Sequence, residues 1–342
     1  MSTSQTERKP EKVLVTGGGG FLGKAIVRQL IARGDEVRSL ARSDYPELRE
    51  LGVEVVKGDL RDPEAVAAAC EGRDVVFHVA AKVGVWGKYQ DFYDINVGGT
   101  NNIIAGCKKH GVSRLVYTSS PSVIFNGKDM EGADESVPYP EPSVYLTDYP
   151  KTKAEAERNV KAATDDSLRT AILRPHLIWG PEDNHLVPRI LARAKMLRII
   201  GSGKNVIDSV YIDNAADAHI QAADALAIKP ENSGRVYFIT QDEPIVLWEL
   251  VNKILAAGGK PPVTRRVPYK LVYYVGACME FVYRLFGVKS EPRMTRFVAG
   301  ELAKSHWFDV SAAKNDFGYD PQVSTDEGIK RLEAWLSQQK SV

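Results

Sequence analysis

The chain is poor in cysteine and carries no excess of either charge. Cys70, Cys107 and Cys278 are its three cysteines, too far apart for a metal spacing or a disulfide framework. They read as reduced structural thiols of a cytosolic protein. A net charge of +1 with no long Lys/Arg run gives no footing for nucleic acid. No uncharged apolar stretch reaches the roughly 18 residues of a spanning helix. The nearest approach, Leu271–Phe286, is broken by Glu280 and Arg284. The first ten residues, MSTSQTERKP, lack the apolar core of a secretory signal and read as a disordered tail over 1–10. Internal repeats and low-complexity blocks are absent as well.

What is present, at 44% hydrophobic and 26% charged residues, is the composition of a globular protein with a substantial core. The first half alternates short apolar runs with helical patterns, which predicts a parallel, doubly wound α/β sheet. Strands are expected at Lys12–Thr16, Glu36–Leu40, Val53–Lys57, Val75–Val79, Arg114–Ser119 and Thr170–Leu173. Several lack alternation, as strands covered on both faces do. Helices are expected at Phe21–Arg33, Pro63–Cys70, Tyr93–His110 and Tyr149–Ala163, with Gly34 stopping the first. This Rossmann-like domain is placed at 11–180. Residues 181–342 form a smaller, interleaved substrate-binding region, with about 205–240 returning to the sheet. There Val206–Ile212 and Arg235–Ile239 read as strands, Pro244–Ala257 and Thr325–Ser337 as helices, around an aromatic stretch, Tyr269–Trp307.

The strand Lys12–Thr16 runs into Gly17-Gly18-Gly19-Gly20-Phe21-Leu22-Gly23 and then a helix. Thr16, Gly17, Gly20 and Gly23 satisfy TGxxGxxG. Glycine is needed there for a tight turn, for close approach to a pyrophosphate and for helix–strand packing. The helix N-terminus then offers its N–H groups to the phosphates, whereas the bland alternative is a flexible loop. An NAD enzyme usually ends its second strand with an acid that holds the ribose 2′-OH. Here the strand ends Leu40-Ala41-Arg42-Ser43. Arg42, assisted by Ser43, suits a 2′-phosphate, so NADP(H) is preferred with NAD(H) open. A solvated surface arginine is the plain alternative.

Tyr149 and Lys153 are spaced i, i+4 and share a helix face. A tyrosine that exchanges a proton near neutral pH needs help, and a cationic lysine nearby would lower its pKa. Ser120 stands at the end of the fifth strand, where open α/β sheets bind ligands. Its hydroxyl can bond a reacting carbonyl or alcohol oxygen, with Ser119 and Ser122 as neighbours able to share that role. Ser120, Tyr149 and Lys153 together form an acid–base set beside a hydride donor.

These motifs give the chain its resemblance to the extended short-chain dehydrogenases/reductases over nearly its whole length. The matching segments are TGGGGFLG at 16–23, GDL at 58–60, VFHVAA at 76–81, NVGGT at 96–100, YTSS at 117–120, YPKTK at 149–153 and LRPHLIWGP at 173–181. Within that superfamily the chain is most similar to the 3β-hydroxysteroid dehydrogenase/isomerase branch. The segments AAKVGVWG at 80–87, IWGPEDNHLVPR at 178–189 and DSVYIDNAADAH at 208–219 resemble the reductases of 2-alkyl-3-oxoalkanoates in bacterial long-chain olefin synthesis. The resemblance implies that Asp59 and Leu60 touch the adenine, although Asp59 can also be read as a helix N-cap. It implies that His78, Ala80 and Ala81 line the cofactor, that Asn96 braces the catalytic helix and that Pro175 marks the nicotinamide end.

The expected substrate is lipophilic, with Ser122, His185 and Arg189 as candidate contacts and Arg193 nearby. His176, His185 and His219 lack any carboxylate or cysteine spacing and read as structural or rim residues, so no metal is expected. The aromatic run Tyr269–Phe286 is expected to cap a lipophilic substrate cavity at a membrane or partner surface, with an ordinary core helix as the alternative. A homodimer, assembly with other olefin-pathway enzymes or peripheral membrane contact is open for this protein, which is expected to be cytoplasmic. A 3β-hydroxysterol dehydrogenase is the nearest rival. A nucleotide-sugar epimerase or dehydratase shares every cofactor motif, but Ile207-Asp208-Ser209-Val210 lacks the arginine those enzymes use to hold a diphosphate. A non-catalytic NADP-sensing regulator would commonly have lost the Tyr or the Lys.

Overall fold

The computed structural model describes residues 9–339, so most of the expected tail lies outside the described residues. Seven strands form one parallel sheet: β1 Lys12–Thr16, β2 Glu36–Ala41, β3 Glu54–Lys57, β4 Val75–His78, β5 Arg114–Thr118, β6 Arg169–Pro175 and β7 Arg235–Ile239. Their order across the sheet is β7-β6-β5-β4-β1-β2-β3. The order reverses between β1 and β4, which leaves a crevice beyond their C-terminal ends. All residues of β4 and β5 are buried. That is why these strands show no alternation, since helices cover both faces.

Three expectations change. The run Val206–Ile212 is two short strands, Val206–Ile207 and Val210–Tyr211, in different small sheets, and Ile212 opens the helix Ile212–Ile228. The break falls at Asp208 and Ser209, whose side chains turn inward. Asp208 accepts from the Phe308 N–H at 2.9 Å, and Ser209 accepts from the Trp179 indole at 3.0 Å. Of 205–240, therefore, Arg235–Ile239 joins the main sheet while Val206–Ile207 pairs with Ile245–Val246 and His306–Phe308. The helix expected at Tyr93–His110 starts at Tyr89 and passes through a π turn at Asp94–Gly98, a feature frequent at functional sites. The aromatic stretch contains the helix Tyr269–Leu285, the helix Arg296–Glu301 and the strand His306–Phe308.

The helix Tyr269–Leu285 is not a core helix. Only Gly276 and Glu280 are buried in it, while Leu271, Tyr274, Val275, Phe281, Val282 and Leu285 face solvent, Phe281 at 67% exposure. Glu280 is buried because it pairs with Arg296, at 2.7 Å, and accepts the Arg296 N–H. Among the described residues no helix is long and apolar enough to cross a membrane.

Candidate active site at the sheet's C-terminal edge

The loop after β1 is shaped by its glycines. Gly17 has φ +73°, and a Cβ on it would stand 3.0 Å from the Ala80 backbone. A Cβ on Gly23 would stand 2.1 Å from the Gly17 carbonyl oxygen. Side chains are thus excluded where a pyrophosphate would need bare backbone. Gly20 precedes the helix Phe21–Ala32 in extended conformation with no capping side chain, leaving the helix N-terminus to an external anion. The residues present therefore fit a dinucleotide. Leu22 is buried in the core beneath the loop and Phe21 packs against that core, so their contribution to a ligand is backbone. Tyr45, just past β2, was not foreseen. Its ring covers Gly19, where a Cβ would come within 2.3 Å of it.

Arg42 and Ser43 follow the last residue of β2 and are exposed at the crevice. Asp59, after β3, is held by Arg61 in an ion pair of 2.6 Å, and this contact pulls its carboxyl down to about 2. The N-cap role goes instead to Asp62, which accepts from Glu64 and Ala65 at the start of the helix Pro63–Cys70. Leu60 turns its side chain into the core against Gly99.

Thr16 Oγ1 accepts the Ala80 N–H at 3.2 Å and contacts His78 Nδ1 at 2.8 Å, while His78 Nε2 meets Thr100 Oγ1 at 2.9 Å. Both nitrogens of His78 are thereby occupied within the core, and burial drives its pKa to about 3. The ring ties β4 to β1 instead of lining the crevice. Ala80 and Ala81 are half-buried beside the glycine loop. Asn96, in the π turn, accepts the Lys82 N–H at 2.7 Å and donates to the Lys82 carbonyl at 3.1 Å and to Thr152 at 3.1 Å. It pins the loop after β4 to the helix Asp148–Ala163.

That helix carries Tyr149 and Lys153, and β5 delivers Ser120. The Tyr149 phenol stands close enough to the Ser120 hydroxyl to be influenced by it. Ser120 Oγ also meets Ser122 Oγ at 2.9 Å and caps the turn Pro121–Ile124. Lys153 Nζ donates to the Thr118 carbonyl at 2.6 Å and stands 4.1 Å from the Tyr117 ring centre. The expectation of a tyrosine with lowered pKa does not hold here. Burial raises Tyr149 to about 12, against the smaller lowering from Ser120. Burial likewise depresses Lys153 to about 7, opposed by Glu157.

One turn beyond Lys153, Glu157 is fully buried. It accepts from Ser119, from Tyr139 at 2.7 Å and from Arg174 Nη2 at 2.6 Å. Arg174 is buried too, and its Nη1 has no hydrogen-bond partner among the described residues. This charged layer was missed. Its signal was present in the i+4 spacing of Glu157 from Lys153, but nothing in the sequence pairs it with Arg174.

Pro175 ends β6 buried against Ile239. His176 follows, with Leu177 in the left-handed region at φ 43°. His185 and Arg189 are not brought to Ser120 or Tyr149 and line neither of the cavities described next. Asp183 takes the His185 N–H at 2.7 Å to begin the helix Leu186–Ala192, and Arg189 pairs with Glu291 at 2.8 Å. Arg193 reaches the Arg293 carbonyl.

Two cavities flank the first turn of the Tyr149 helix and share Tyr145 and Leu146. One, of about 350 Å³, is walled by Phe125, Pro150, Tyr273, Tyr274 and Phe297, with Lys270 and Arg296 at its edge. The other, of about 640 Å³, is more polar and includes Lys82, Lys88, Asp148, Arg284 and Lys289. Trp86, in the loop after β4, closes one side by donating to the Val288 carbonyl at 3.1 Å and packing on Tyr283.

Residues 14–268 match the 3-beta hydroxysteroid dehydrogenase/isomerase family, and the chain belongs to it. It is an NAD(P)-dependent oxidoreductase. It is 51% identical to the 2-alkyl-3-oxoalkanoate reductase of Shewanella oneidensis, over 96% of this chain and 87% of that protein. Against the 2-alkyl-3-oxoalkanoate reductase of Stenotrophomonas maltophilia the identity is 49%, over 94% of this chain and 98% of the relative. The solved dTDP-glucose 4,6-dehydratase DesIV of Streptomyces venezuelae, with NAD bound, superposes with a TM-score of 0.74 at 24% identity, covering 96% and 98% of the two chains. It shares the fold.

Proposed function

We propose that the chain reduces the ketone of a 2-alkyl-3-oxoalkanoate to the 3-hydroxy acid, with NADPH as the hydride source and Ser120, Tyr149 and Lys153 as the acid–base set. The observation that carries this reading is the placement of Ser120, at the exit of β5, beside Tyr149, in the first turn of the helix that also carries Lys153. A ketone reduction needs a proton donor at that point, and a phenol beside a seryl hydroxyl supplies one. The relatives named for this reaction supply the substrate class.

The bound nicotinamide would supply a hydride to C3. Ser120 Oγ holds the carbonyl oxygen, and Tyr149 Oη gives it a proton as charge builds. Lys153, one turn along, stabilises the phenolate left behind. The aromatic cavity at Phe125, Tyr273 and Phe297 suits the alkyl chains. With Arg189 taken by Glu291 and Lys82 paired with Asp91, Lys88, Arg284 and Lys289 in the larger cavity are the cations for the carboxylate. Arg42 supports the preference for NADPH, since it offers charge-assisted bonds to a 2′-phosphate where an acid would repel one.

The test compares initial rates with NADPH on long-chain 2-alkyl-3-keto acids, their methyl esters, 3-ketosteroids and nucleotide sugars. The keto acids should turn over fastest and their esters more slowly. Faster turnover of ketosteroids than of every keto acid would overturn the substrate and leave the reductase.

A further inference from the structure

Away from Tyr149, the fold brings together four residues that no sequence spacing announces. His176, at the exit of β6, and His306, at the start of the strand His306–Phe308, are both buried. His176 Nδ1 lies 3.1 Å from Asp208 Oδ1. The other oxygen of Asp208 already accepts the Phe308 N–H, and a carboxylate can only accept. Nδ1 therefore carries the hydrogen, and Nε2 presents its lone pair. His306 Nε2 lies 2.9 Å from the Glu301 backbone carbonyl, which also only accepts, so the lone pair of His306 is on Nδ1.

Those two lone pairs face each other, with His176 Nε2 and His306 Nδ1 3.1 Å apart. Two neutral rings repel in this arrangement unless a cation lies between them. A straight hydrogen bond of this length would hold the ring centres about 5.4 Å apart, whereas they stand 4.9 Å apart with planes at 81°. At least one of the lone pairs thus points off the line joining the two nitrogens. Two imidazoles about 2.1 Å from a common ion and 3.1 Å from each other subtend about 95° at it, an angle metal sites accept. The carboxylate of Glu301 stands 3.8 Å from His306 Nε2, and one ligand atom from each of His176, His306 and Glu301 lies within 4.8 Å of the other two. Its side chain is 25% exposed and leaves an opening to solvent.

We propose that His176, His306 and Glu301 bind one divalent transition-metal ion of the zinc class, with Asp208 as the carboxylate that orients His176. Two imidazoles and one carboxylate select borderline ions such as Zn²⁺ or Co²⁺ over Mg²⁺ or Ca²⁺. A carboxylate on the far nitrogen of a ligating histidine is the usual way its tautomer is fixed. The ion takes no part in hydride transfer. It fastens the segment after Pro175 to the helix Arg296–Glu301, whose Arg296, Phe297 and Gly300 line the aromatic cavity.

The test uses the full chain, stripped with a chelator. Co²⁺ is titrated in and followed by its visible d–d absorption, and Zn²⁺ affinity is read by competition with a chromophoric chelator. One ion per chain is expected, lost in His306→Gln. Asp208→Asn should weaken binding by roughly 10–100-fold. Glu301→Gln, at a partly exposed position, keeps the fold by circular dichroism and should weaken binding as well. A folded wild-type chain that takes up no Co²⁺ would overturn the proposal and leave a shared proton between the rings. Binding unchanged in both His306→Gln and Glu301→Gln would overturn it equally.

Discussion

Replacing Glu157 with glutamine should disturb both stability and the pH dependence of turnover. The carboxylate is buried and accepts from Ser119, Tyr139 and Arg174. Arg174 is buried as well, with Nη1 already lacking a hydrogen-bond partner among the described residues. Removing one member of a buried ion pair leaves the other charge uncompensated, at a cost of about 3–5 kcal/mol. The amide of glutamine would also present a donor to a cluster made of donors. Glu157 holds the Lys153 pKa up against the burial that brings it to about 7. Without Glu157 that pKa falls, and Lys153 loses its proton at lower pH. If turnover requires the ammonium, the alkaline limb of kcat/KM moves toward acid. Each unit of that movement corresponds to about 1.4 kcal/mol. Urea unfolding measures the stability loss, and a pH–rate profile measures the limb. Glu157→Gln combined with Arg174→Met should recover part of the stability, because no lone charge is then buried. A loss below about 1 kcal/mol with an unmoved limb would refute the argument, since that is what an ordinary surface change produces.

Tyr149→Phe keeps the ring and removes the proton. It should lower kcat by at least about 10²–10⁴-fold with cofactor affinity unchanged by fluorescence titration, and retention of most activity would assign the proton to another group. Arg42→Ala should weaken NADPH binding by roughly 1.5–3 kcal/mol and leave NADH binding alone, so equal losses for both cofactors would make Arg42 a general surface residue. Phe281→Ser, at a side chain that faces solvent, should shift stability by no more than about 0.5 kcal/mol in thermal or urea unfolding. A loss of several kcal/mol would place that face in the core.

The glycine loop, the positions of the first five strands and the i, i+4 pair Tyr149/Lys153 were legible in the sequence because each is local. A glycine pattern, an apolar run and a helix repeat are set by neighbours within a few residues. The absence of an acid at the C-terminal end of β2 was legible for the same reason. What the sequence left open depends on long-range packing. The strand break at Asp208 exists because His176, 32 residues earlier, and Phe308, 100 residues later, both draw its carboxylate. Arg189 reads as a ligand for substrate until Glu291, 102 residues away, is seen to hold it. The helix Tyr269–Leu285 reads equally well as core or surface from its composition. Only the folded chain shows that Gly276 and Glu280 mark its inner side and that Phe281 faces out. The chain by itself determined the scaffold and put Tyr149 and Lys153 on one helix face. The tertiary structure decided their surroundings, since the loss of water that raises the Tyr149 pKa and lowers that of Lys153 depends on segments distant in sequence.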